Sequence, residues 1–354
     1  MVPVWISSAP LRISLAGGGT DLPDYARRCG GTVLGATIDL RVTVVGRPAT
    51  AHRHIRACLD ACSGTAAGGV SNPFAREALR RHWDDSPLEL ASFGDVPGGS
   101  GLGSSSAFSV ALVAGLEGGR STAGETAEAA SVIEMEGLGR PVGRQDPYLS
   151  AFGGFRLLHF HRTGAVEVEE VSVDPRFLRR LDEELLLFFT GRTRDAGEVL
   201  GEQSARMRHD DREVERRLGA IKALVPPAVD ALKNHDAGAL GRVLGEHWDL
   251  KRGLGSRVSL PVVDRAYADA LDAGAGGGKL LGAGGGGYLL LQAADGVREQ
   301  VRAAVAAQGF TERPFRFDDR GVRVMEVDPA GPSRRPNPLA LPRTGEGTTP
   351  VRGW

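Results

Sequence analysis

The sequence predicts an α+β fold, and the contrast between its two halves is the basis of that prediction. The first half alternates short β-rich runs with glycines, as in LRISLAGGG, GGTVLGATI and LRVTVVGRP, and this alternation is typical of a mostly antiparallel sheet. From about Asp174, the runs ELLLFFTG, GYLLLQA and GVRVMEV predict strands that are separated by long amphipathic helices. Strands mixed with helices that pack on one face indicate an α+β domain.

The remaining elements follow from local signals. The alanine-rich run after PGGSGLGSSSAF predicts a helix over residues 104–118. Thr122 and Glu125 form a capping box that starts a second helix over residues 122–138. GGFRLLHF and AVEVEEVSV predict a strand pair. Amphipathic periodicity predicts further helices over residues 199–234, 239–254 and 261–273, and in GVREQVRAAVAAQG.

The length and the change of character near Asp174 predict two domains. A chain of 354 residues can bury a core in each of them. We predict an N-terminal domain over residues 1–173 and a C-terminal domain over residues 174–328. Residues 329–354 are rich in Pro, Gly and Arg and lack periodicity, so we predict a mostly disordered tail.

Composition and charge exclude several classes of function. Hydrophobic residues make up 41% of the chain and charged residues 25%, as in ordinary globular proteins. The formal net charge of −1 provides no field for nucleic acid or for an anionic membrane. The N-terminus lacks the features of a signal peptide, and no apolar run is long enough to span a membrane. We therefore predict a cytoplasmic protein without nucleic-acid or membrane partners, and a homodimer stays open.

Three cysteines are too few for a disulfide framework. His52, His54, Cys58 and Cys62 lie close together in HRHIRACLDAC, yet their spacing fits no common zinc pattern, and HIRACLD is equally typical of a strand. We interpret this stretch as structural.

The stretch PGGSGLGSSSAF has the glycine density of a phosphate-binding loop. From Gly98 it begins like a P-loop, but Ser104 and Ser105 occupy the positions of the Lys and the Ser/Thr, which excludes an ordinary P-loop. A helix start after glycines still suits a phosphate, because its N–H groups are unsatisfied and its dipole is positive. The alternative, a serine N-cap on a core helix, stays open. A phosphate bound here would need a cation from elsewhere.

A second glycine-rich segment, GAGGGKLLGAGGGGYLLL, contains G-x-G-x-x-G from Gly282 to Gly287. The dinucleotide-binding fingerprint requires a helix after the glycines, whereas the strand YLLLQA follows here. This order excludes a Rossmann site, and a tight turn into a strand is an alternative interpretation.

Taken together, three segments resemble the motifs of the GHMP kinase superfamily. PLRISLAGGGTDLPDY is similar to its first motif, VPGGSGLGSSSAFSVAL to its second and GGKLLGAGGGGYLLL to its third, in the same order and with similar spacing. Within the superfamily, AGGGTDLPDY, GRQDPYLSAFGGF, TGRTRDAGEVL and LLGAGGGGY are most similar to the sugar kinases that act on D-glycero-D-manno-heptose 7-phosphate. The fucose kinases are near neighbours.

The resemblance implies a ribosomal-S5-like N-terminal domain, a ferredoxin-like C-terminal domain and an active site between them. It implies transfer of the γ-phosphoryl group of ATP, bound with Mg²⁺, to the anomeric hydroxyl of the sugar phosphate, which gives the heptose 1,7-bisphosphate. A kinase of an unphosphorylated sugar such as fucose is the alternative within the family. A non-catalytic sugar and ATP sensor is the alternative from another class, although the full set of catalytic residues argues against it.

The resemblance also implies the roles of individual residues. Asp146 matches the catalytic aspartate and Arg12 the arginine beside it, while Glu134 with Ser105 matches the magnesium ligands. The nucleotide-binding residues implied are Pro97, Gly98, Gly99, Ser100, Gly101, Leu102, Gly103, Ser104, Ser105 and Ser106. The substrate-binding residues implied are Gly18, Gly19, Thr20, Asp21, Tyr148, Arg192, Gly284, Gly285 and Gly286.

Each charged residue among them also has a structural interpretation. Asp146 and Asp21 both precede a helical run and suit an N-cap position. Arg12 alone would suit a surface strand, and Glu134 an exposed helix face. The candidates for the missing positive charge or for a sugar phosphate, which equally suit a solvated surface, are Lys279, Arg192 and Arg194.

Overall fold

Two long antiparallel strands, β1 (Val4–Ala16) and β2 (Gly31–Pro48), form the frame of the N-terminal half. Strand β2 unites the two strands predicted from GGTVLGATI and LRVTVVGRP. The register of β1 on β2 shifts twice, just before Arg12 and just after Ser14. Register shifts of this kind bend a strand and re-aim its side chains, and both Arg12 and Ser14 line the cleft between the two halves of the chain.

The computed structural model describes residues 4–50, 52, 54–59, 62–65, 69–209 and 211–327. Across these residues the first sheet also contains β3 (Ile55–Cys58), β4 (Cys62–Thr65), β5 (Leu88–Gly94), β6 (Phe155–Phe160), β7 (Val166–Glu170) and β12 (Arg323–Val327). The strand order is β12-β1-β2-β5-β3-β4, with β6 paired to β2 and β7 to β6. Only β3 and β5 pair in parallel among these strands, which confirms the predicted mostly antiparallel sheet.

A second sheet belongs to the C-terminal half. Its strands are β8 (Leu185–Phe189), β9 (Gly277–Leu280), β10 (Tyr288–Gln292) and β11 (Thr311–Glu312). They follow the antiparallel order β11-β8-β10-β9. Strands β9 and β10 are buried along their whole length, although β9 contains Lys279. The α+β prediction is confirmed.

Twelve α-helices of the described chain cover these sheets. They are α1 (Pro23–Cys29), α2 (Pro73–His82), α3 (Ser104–Leu116), α4 (Ala123–Val132), α5 (Gln145–Phe152), α6 (Pro175–Glu184), α7 (Ala196–Arg208), α8 (Arg212–Ala223), α9 (Val225–Lys233), α10 (Ala237–Arg252), α11 (Pro261–Asp272) and α12 (Arg298–Ala307). A π-helical turn, Ile133–Gly137, continues α4.

Helix boundaries partly differ from those expected. The capping box of Thr122 and Glu125 is present at the start of α4. The single helix predicted over residues 199–234 is instead three helices, α7 to α9. Asp211 caps α8 by accepting from the N–H groups of Glu213 and Val214, and a proline in the first turn of α9 starts another helix.

The last described strand closes the first sheet. Strand β12 pairs with β1 from Val4 opposite Val327 to Ser8 opposite Arg323. The chain thus returns to the N-terminal sheet after it has formed the second sheet. The predicted domain boundary near residue 174 stays a prediction. The tail over residues 329–354 lies outside the described residues.

The cysteine-containing stretch forms strands, as predicted. Within the described ranges no group of three or more His, Cys, Asp or Glu side chains is placed to hold a metal. Cys29 is a free thiol, whereas Cys58 is disulfide-bonded, a pairing that the cysteine count alone does not predict. None of the helices described is both long and apolar enough to cross a bilayer.

Candidate active site

A deep cleft lies where the first sheet meets the helices of the C-terminal half. Its walls are the end of β1, the starts of α3 and α5, the π-helical turn, α10 and the glycine loop after β9 (residues 281–287), and its empty volume is about 1020 Å³. An outer groove lined by Phe74, Phe93 and Phe108 joins the cleft at Gly99 and Ser105. The inner end of the cleft lies at the glycine turn that follows β1 (residues 17–19).

The start of α3 opens into the cleft. Helix α3 begins after Gly103, whose φ of 75° is left-handed, and no side chain of the described residues caps it. The serine N-cap interpretation is therefore wrong. A Cβ at Gly103 would lie 3.3 Å from both Arg12 Cγ and Asp146 Oδ2, so the left-handed φ favours glycine and a larger residue would press on both side chains. An uncapped helix start with adjacent hydroxyls fits a phosphate group.

Arg12, which is buried, and Asp146, which is half-buried, form an ion pair at the centre of the cleft. Arg12 Nε and Nη2 donate to the two carboxylate oxygens at 2.7 and 2.6 Å, and Nη1 donates to the Gly101 carbonyl at 2.7 Å. The Arg12 side chain is 4% exposed, so it is no surface strand arginine. Asp146 lies inside α5, whose N-cap is Arg144, so the N-cap interpretation of Asp146 is wrong as well.

Asp21 connects the glycine turn to the start of α5. Its carboxylate accepts from the backbone N–H of Gln145 at 3.0 Å, from Gln145 Nε2 at 2.9 Å and from the Gly19 N–H at 3.2 Å. Burial raises the pKa of Asp21 to about 6, and the Gln145 backbone hydrogen bond opposes that rise. The N-cap of α1 is Leu22, so the alternative role of Asp21 as its cap is wrong.

Glu134 lies buried in the π-helical turn and faces the cleft, so it is not an exposed helix glutamate. Ser106 Oγ donates to Glu134 Oε1 at 2.5 Å; Ser105, the partner predicted from the sequence, lines the cleft beside them. Burial raises the pKa of Glu134 to about 7, while the Ser106 hydroxyl acts in the opposite direction. One carboxylate next to hydroxyls fits Mg²⁺, which takes only one or two protein oxygens besides phosphates.

Two buried lysines line the cleft without a carboxylate partner. Lys251 Nζ donates to the Leu280 and Gly282 carbonyls at 2.8 and 2.6 Å. Lys279 Nζ donates to the Leu15 carbonyl at 3.3 Å and shares a hydrogen bond with His247 Nδ1 at 3.0 Å. Neither lysine forms an ion pair among the described residues.

The charges of these lysines are disfavoured where they lie. Burial, with repulsion from Arg194 and Arg12, lowers the pKa of Lys251 to about 7. Burial and repulsion from Lys251 lower the pKa of Lys279 well below its usual range. Uncompensated buried ammonium groups are rare in proteins because their desolvation is costly. Their position in a cleft therefore indicates an anionic ligand.

Arg194 joins the two glycine-rich loops. Its Nε donates to the Gly284 carbonyl and its Nη1 to the Gly99 carbonyl at 2.7 Å, while Nη2 is buried without a partner among the described residues. Arg192, the residue predicted to bind substrate, is exposed and contributes its carbonyl to the Gly287 N–H. Arg194 lines the cleft and Arg192 does not, and the role of Arg192 in substrate binding stays a prediction.

Other predicted residues also lie outside the cleft. Tyr148 is turned away and donates to Glu128 at 2.8 Å. Thr20 is fully buried and donates to the Gly17 and Thr32 carbonyls at 2.8 and 3.0 Å. Pro97 and Gly98 are exposed and do not line the cleft. The predicted residues that pack against other parts of the protein rather than line the cleft are Ser100, Leu102, Gly284, Gly285 and Gly286. Gly98 lines the outer groove instead.

Sequence reasoning missed several cleft residues, including Lys251, His247, Gln203 and Ser14. Helix α10 offered a signal, because His247 and Lys251 lie four residues apart on the same face as buried Leu240 and Leu244. Charged residues on an apolar face are candidate site residues. Ser14 and Gln203 carried no comparable signal.

Comparisons with known proteins identify the family. The family model "GHMP kinases N terminal domain" matches residues 70–154, and "GHMP kinases C terminal" matches residues 228–309. D-glycero-alpha-D-manno-heptose 7-phosphate kinase of Campylobacter jejuni is 30% identical over 343 residues, which cover 91% of this chain and 98% of that protein.

Solved structures give the same result. A D-glycero-D-manno-heptose 1-phosphate kinase from Bacteriodes thetaiotaomicron is 26% identical, with a TM-score of 0.73 over 92% of this chain and 99% of its own. A putative sugar kinase from Campylobacter jejuni is 28% identical, with a TM-score of 0.72 over 92% and 98%.

The fold, the site and these relatives define a phosphotransferase that acts on a sugar hydroxyl and takes its phosphoryl group from ATP. The chain belongs to the GHMP kinase family.

Proposed function

We propose that this sugar kinase phosphorylates the anomeric hydroxyl of D-glycero-D-manno-heptose 7-phosphate. The observation that carries the proposal is the pair of uncompensated lysines, Lys251 and Lys279, because a phosphorylated acceptor would neutralise them. The name of the Campylobacter jejuni relative supports a 7-phosphate acceptor, whereas the name of the Bacteriodes structure has the phosphate at position 1. The position that receives the new phosphoryl group is therefore part of the test.

The nucleotide would occupy the outer end of the cleft. The uncapped start of α3 offers backbone N–H groups to the phosphates, and Arg194 Nη2 supplies the charge that a P-loop lysine would provide. The aromatic outer groove adjoins this end and suits the nucleoside. Glu134, with the hydroxyl of Ser105 or Ser106, would hold Mg²⁺, which supplies neutralising charge to the phosphates when bound.

The ion pair at the centre of the cleft would perform the transfer. The acceptor hydroxyl forms a new bond to phosphorus while the bond to the ADP oxygen breaks, and Asp146 accepts the hydroxyl proton. Arg12 fixes the carboxylate with two hydrogen bonds and offsets the charge that develops nearby. Because phosphoryl transfer passes through a loose transition state, positioning contributes more than the basicity of Asp146.

The acceptor phosphate would lie at the inner end. Lys279 contacts the Leu15 carbonyl, two residues before the glycine turn, and lies next to His247. Lys251 lies further out, because its partner Gly282 is next to Gly101 and Arg194, so it would lie between the acceptor phosphate and the phosphates of the nucleotide. An unphosphorylated acceptor such as fucose supplies no anion that would restore the disfavoured charge of Lys279, so the basic inner end favours the sugar phosphate.

The test uses the purified full chain with Mg·ATP and a panel of acceptors. The panel contains D-glycero-D-manno-heptose 7-phosphate, the free heptose, fucose and hexose 6-phosphates, and ADP release is measured. We expect kcat/KM to be highest for the heptose 7-phosphate, with the product phosphorus coupled to the anomeric proton in ³¹P NMR. A preference for a free sugar, or a product phosphorylated elsewhere, would contradict the proposal.

A variant pair tests the catalytic assignment in the same assay. Asp146→Ala should lose turnover by at least about 10³-fold while retaining ATP binding. Glu136→Ala is the matched control, since Glu136 is an exposed carboxylate close to Glu134 and should retain full activity. Turnover by Asp146→Ala close to the native rate would remove Asp146 from the mechanism.

A further inference from the structure

Five buried polar atoms without a partner among the described residues line the cleft, and their chemistry divides them into two groups. Two are guanidinium nitrogens near the outer end, Arg140 Nε and Arg194 Nη2. The other three belong to neutral side chains, and they are Ser14 Oγ, Gln145 Oε1 and the nitrogen Nε2 of Gln203. Buried polar atoms are nearly always hydrogen-bonded in folded proteins, so a group of exceptions in one cleft indicates a ligand.

The three neutral atoms surround the glycine turn. A Cβ at Gly18 would lie 2.8 Å from Ser14 Oγ and 3.7 Å from Gln145 Oε1, and a Cβ at Gly19 would lie 3.5 Å from Gln203 Nε2. Three elements that are distant in sequence, namely β1, the start of α5 and α7, therefore direct unpaired polar atoms to one place. Glycine at both turn positions keeps the space between them open.

The orientation of Gln145 follows from its partner. Its Nε2 donates to Asp21 Oδ1 at 2.9 Å, and its backbone N–H donates to Asp21 Oδ2 at 3.0 Å. A carboxylate accepts and does not donate, so the amide nitrogen must face Asp21 and the oxygen must face the cleft. The acceptor atom is thus fixed before any ligand arrives.

We propose that Ser14, Gln145 and Gln203 bind the hydroxyl groups of the acceptor sugar and determine which sugar the kinase accepts. Gln145 provides an acceptor, Gln203 a donor and Ser14 a hydroxyl that does both. A set of this kind matches neighbouring sugar hydroxyls, each of which donates and accepts. The three residues act on the non-reacting part of the sugar, and Asp146 acts on the reacting hydroxyl.

The proposal rests on the sugar kinase activity of the proposed function but does not depend on the 7-phosphate. Lys251 and Lys279 would bind the phosphate of the acceptor, whereas the neutral set would bind its hydroxyls. The two can therefore fail separately. The neutral set can be tested with whichever sugar of the acceptor panel gives turnover.

Ser14→Ala and Gln203→Leu test the proposal, with Ser7→Ala as the matched control. Ser7 lies on the same strand, is fully buried and also has an Oγ without a partner in the described part of the chain, but it does not line the cleft. We expect KM for the sugar to rise about 10- to 100-fold in each cleft variant, with KM for ATP unchanged within about twofold. Ser7→Ala should leave both constants unchanged.

Two further measurements separate ligand binding from a structural role. Removal of an unpaired buried polar atom should leave the Tm of the ligand-free protein unchanged or higher, whereas loss of a structural hydrogen bond would lower it. Monodeoxy sugars give the second measurement. The native enzyme should use the deoxy analogue that lacks the hydroxyl bound by Gln203 less well than the parent sugar, whereas Gln203→Leu should use the two equally well.

The outcomes are distinct. Two results would overturn the proposal and leave the kinase assignment intact. One is a sugar KM within twofold of the native value in both cleft variants. The other is that the increase in KM caused by the variant and the increase caused by each deoxy analogue multiply, which would mean that the side chain and the hydroxyl act independently. A strong preference for fucose over the heptose 7-phosphate would overturn the proposed substrate and leave the neutral set to be tested with fucose. Absence of turnover with every sugar would overturn both.

Discussion

Replacement of Lys251 by methionine should make the ligand-free protein more stable and the enzyme less active. Burial lowers the pKa of this lysine from 10.5 to about 7. The native state therefore binds fewer protons than the unfolded chain between these pH values, and stability falls as the pH decreases from 10.5 towards 7. At pH 7 this penalty corresponds to about 4 kcal/mol.

The net gain is smaller, because methionine cannot replace the two hydrogen bonds to the Leu280 and Gly282 carbonyls. Their loss costs about 2 kcal/mol. We expect a net increase in the free energy of unfolding of about 2 kcal/mol at pH 7, and in Tm of about 3 °C. At pH 10.5 the sign should reverse, since the lysine carries little penalty there.

Urea and thermal unfolding of the ligand-free protein at both pH values measure this effect. Lys233→Met, at an exposed position of α9, is the control and should change stability by less than about 0.5 kcal/mol. The KM of Lys251→Met for the acceptor sugar phosphate should rise about 100-fold. If Lys251→Met were less stable than the native protein by the same amount at both pH values, the lysine would carry no penalty, and the inference of an anionic ligand would lose its basis.

Three further predictions follow from the same geometry. In the native enzyme, KM for the sugar phosphate should increase up to about tenfold per pH unit above pH 7, because the charged fraction of Lys251 falls there. Lys251→Arg should flatten this pH profile. An unchanged slope in Lys251→Arg would show that Lys251 does not cause the pH dependence. Gly103→Ala should lower kcat by about 10- to 100-fold, since its Cβ would press on the central ion pair. Gly164→Ala is the control, because Gly164 has a similarly left-handed φ of 93° but open space around it. This control should change stability only. Ser106→Ala should raise the Mg²⁺ concentration for half-maximal rate about fivefold, because Glu134 loses its hydroxyl partner, and an unchanged Mg²⁺ titration would show that the hydroxyl has no role in orienting Glu134.

Local sequence signals predicted the strands, the capping box and the position of both glycine-rich loops. These features depend on residues close in sequence, and the structure has them where expected. The resemblance to a family added Arg12, Asp146 and Glu134, which the fold brings to one cleft. Their chemistry requires particular residue types at particular places, so a motif can identify them without knowledge of the packing.

The direction of side chains could not be predicted in the same way. Tyr148 lies two residues after Asp146 in α5, and residues two apart on a helix point to opposite sides. It therefore faces Glu128 rather than the cleft. Thr20 is next to Asp21 in sequence, but its hydroxyl is used to hold the glycine turn against β2. The direction of Tyr148 thus follows from its helical spacing to Asp146, whereas only the packing of distant elements decides the direction of Thr20.

The pairing of β12 with β1 has a consequence for the order in which the protein can form during synthesis. Strand β1 begins at Val4, and its neighbour on this side ends at Val327. A ribosome adds about 5–20 residues per second, so one edge of the sheet that carries Arg12 stays uncovered for tens of seconds until nearly the whole chain exists. The strand that positions the arginine of the central ion pair is thus among the first segments made and among the last to gain its full set of neighbours.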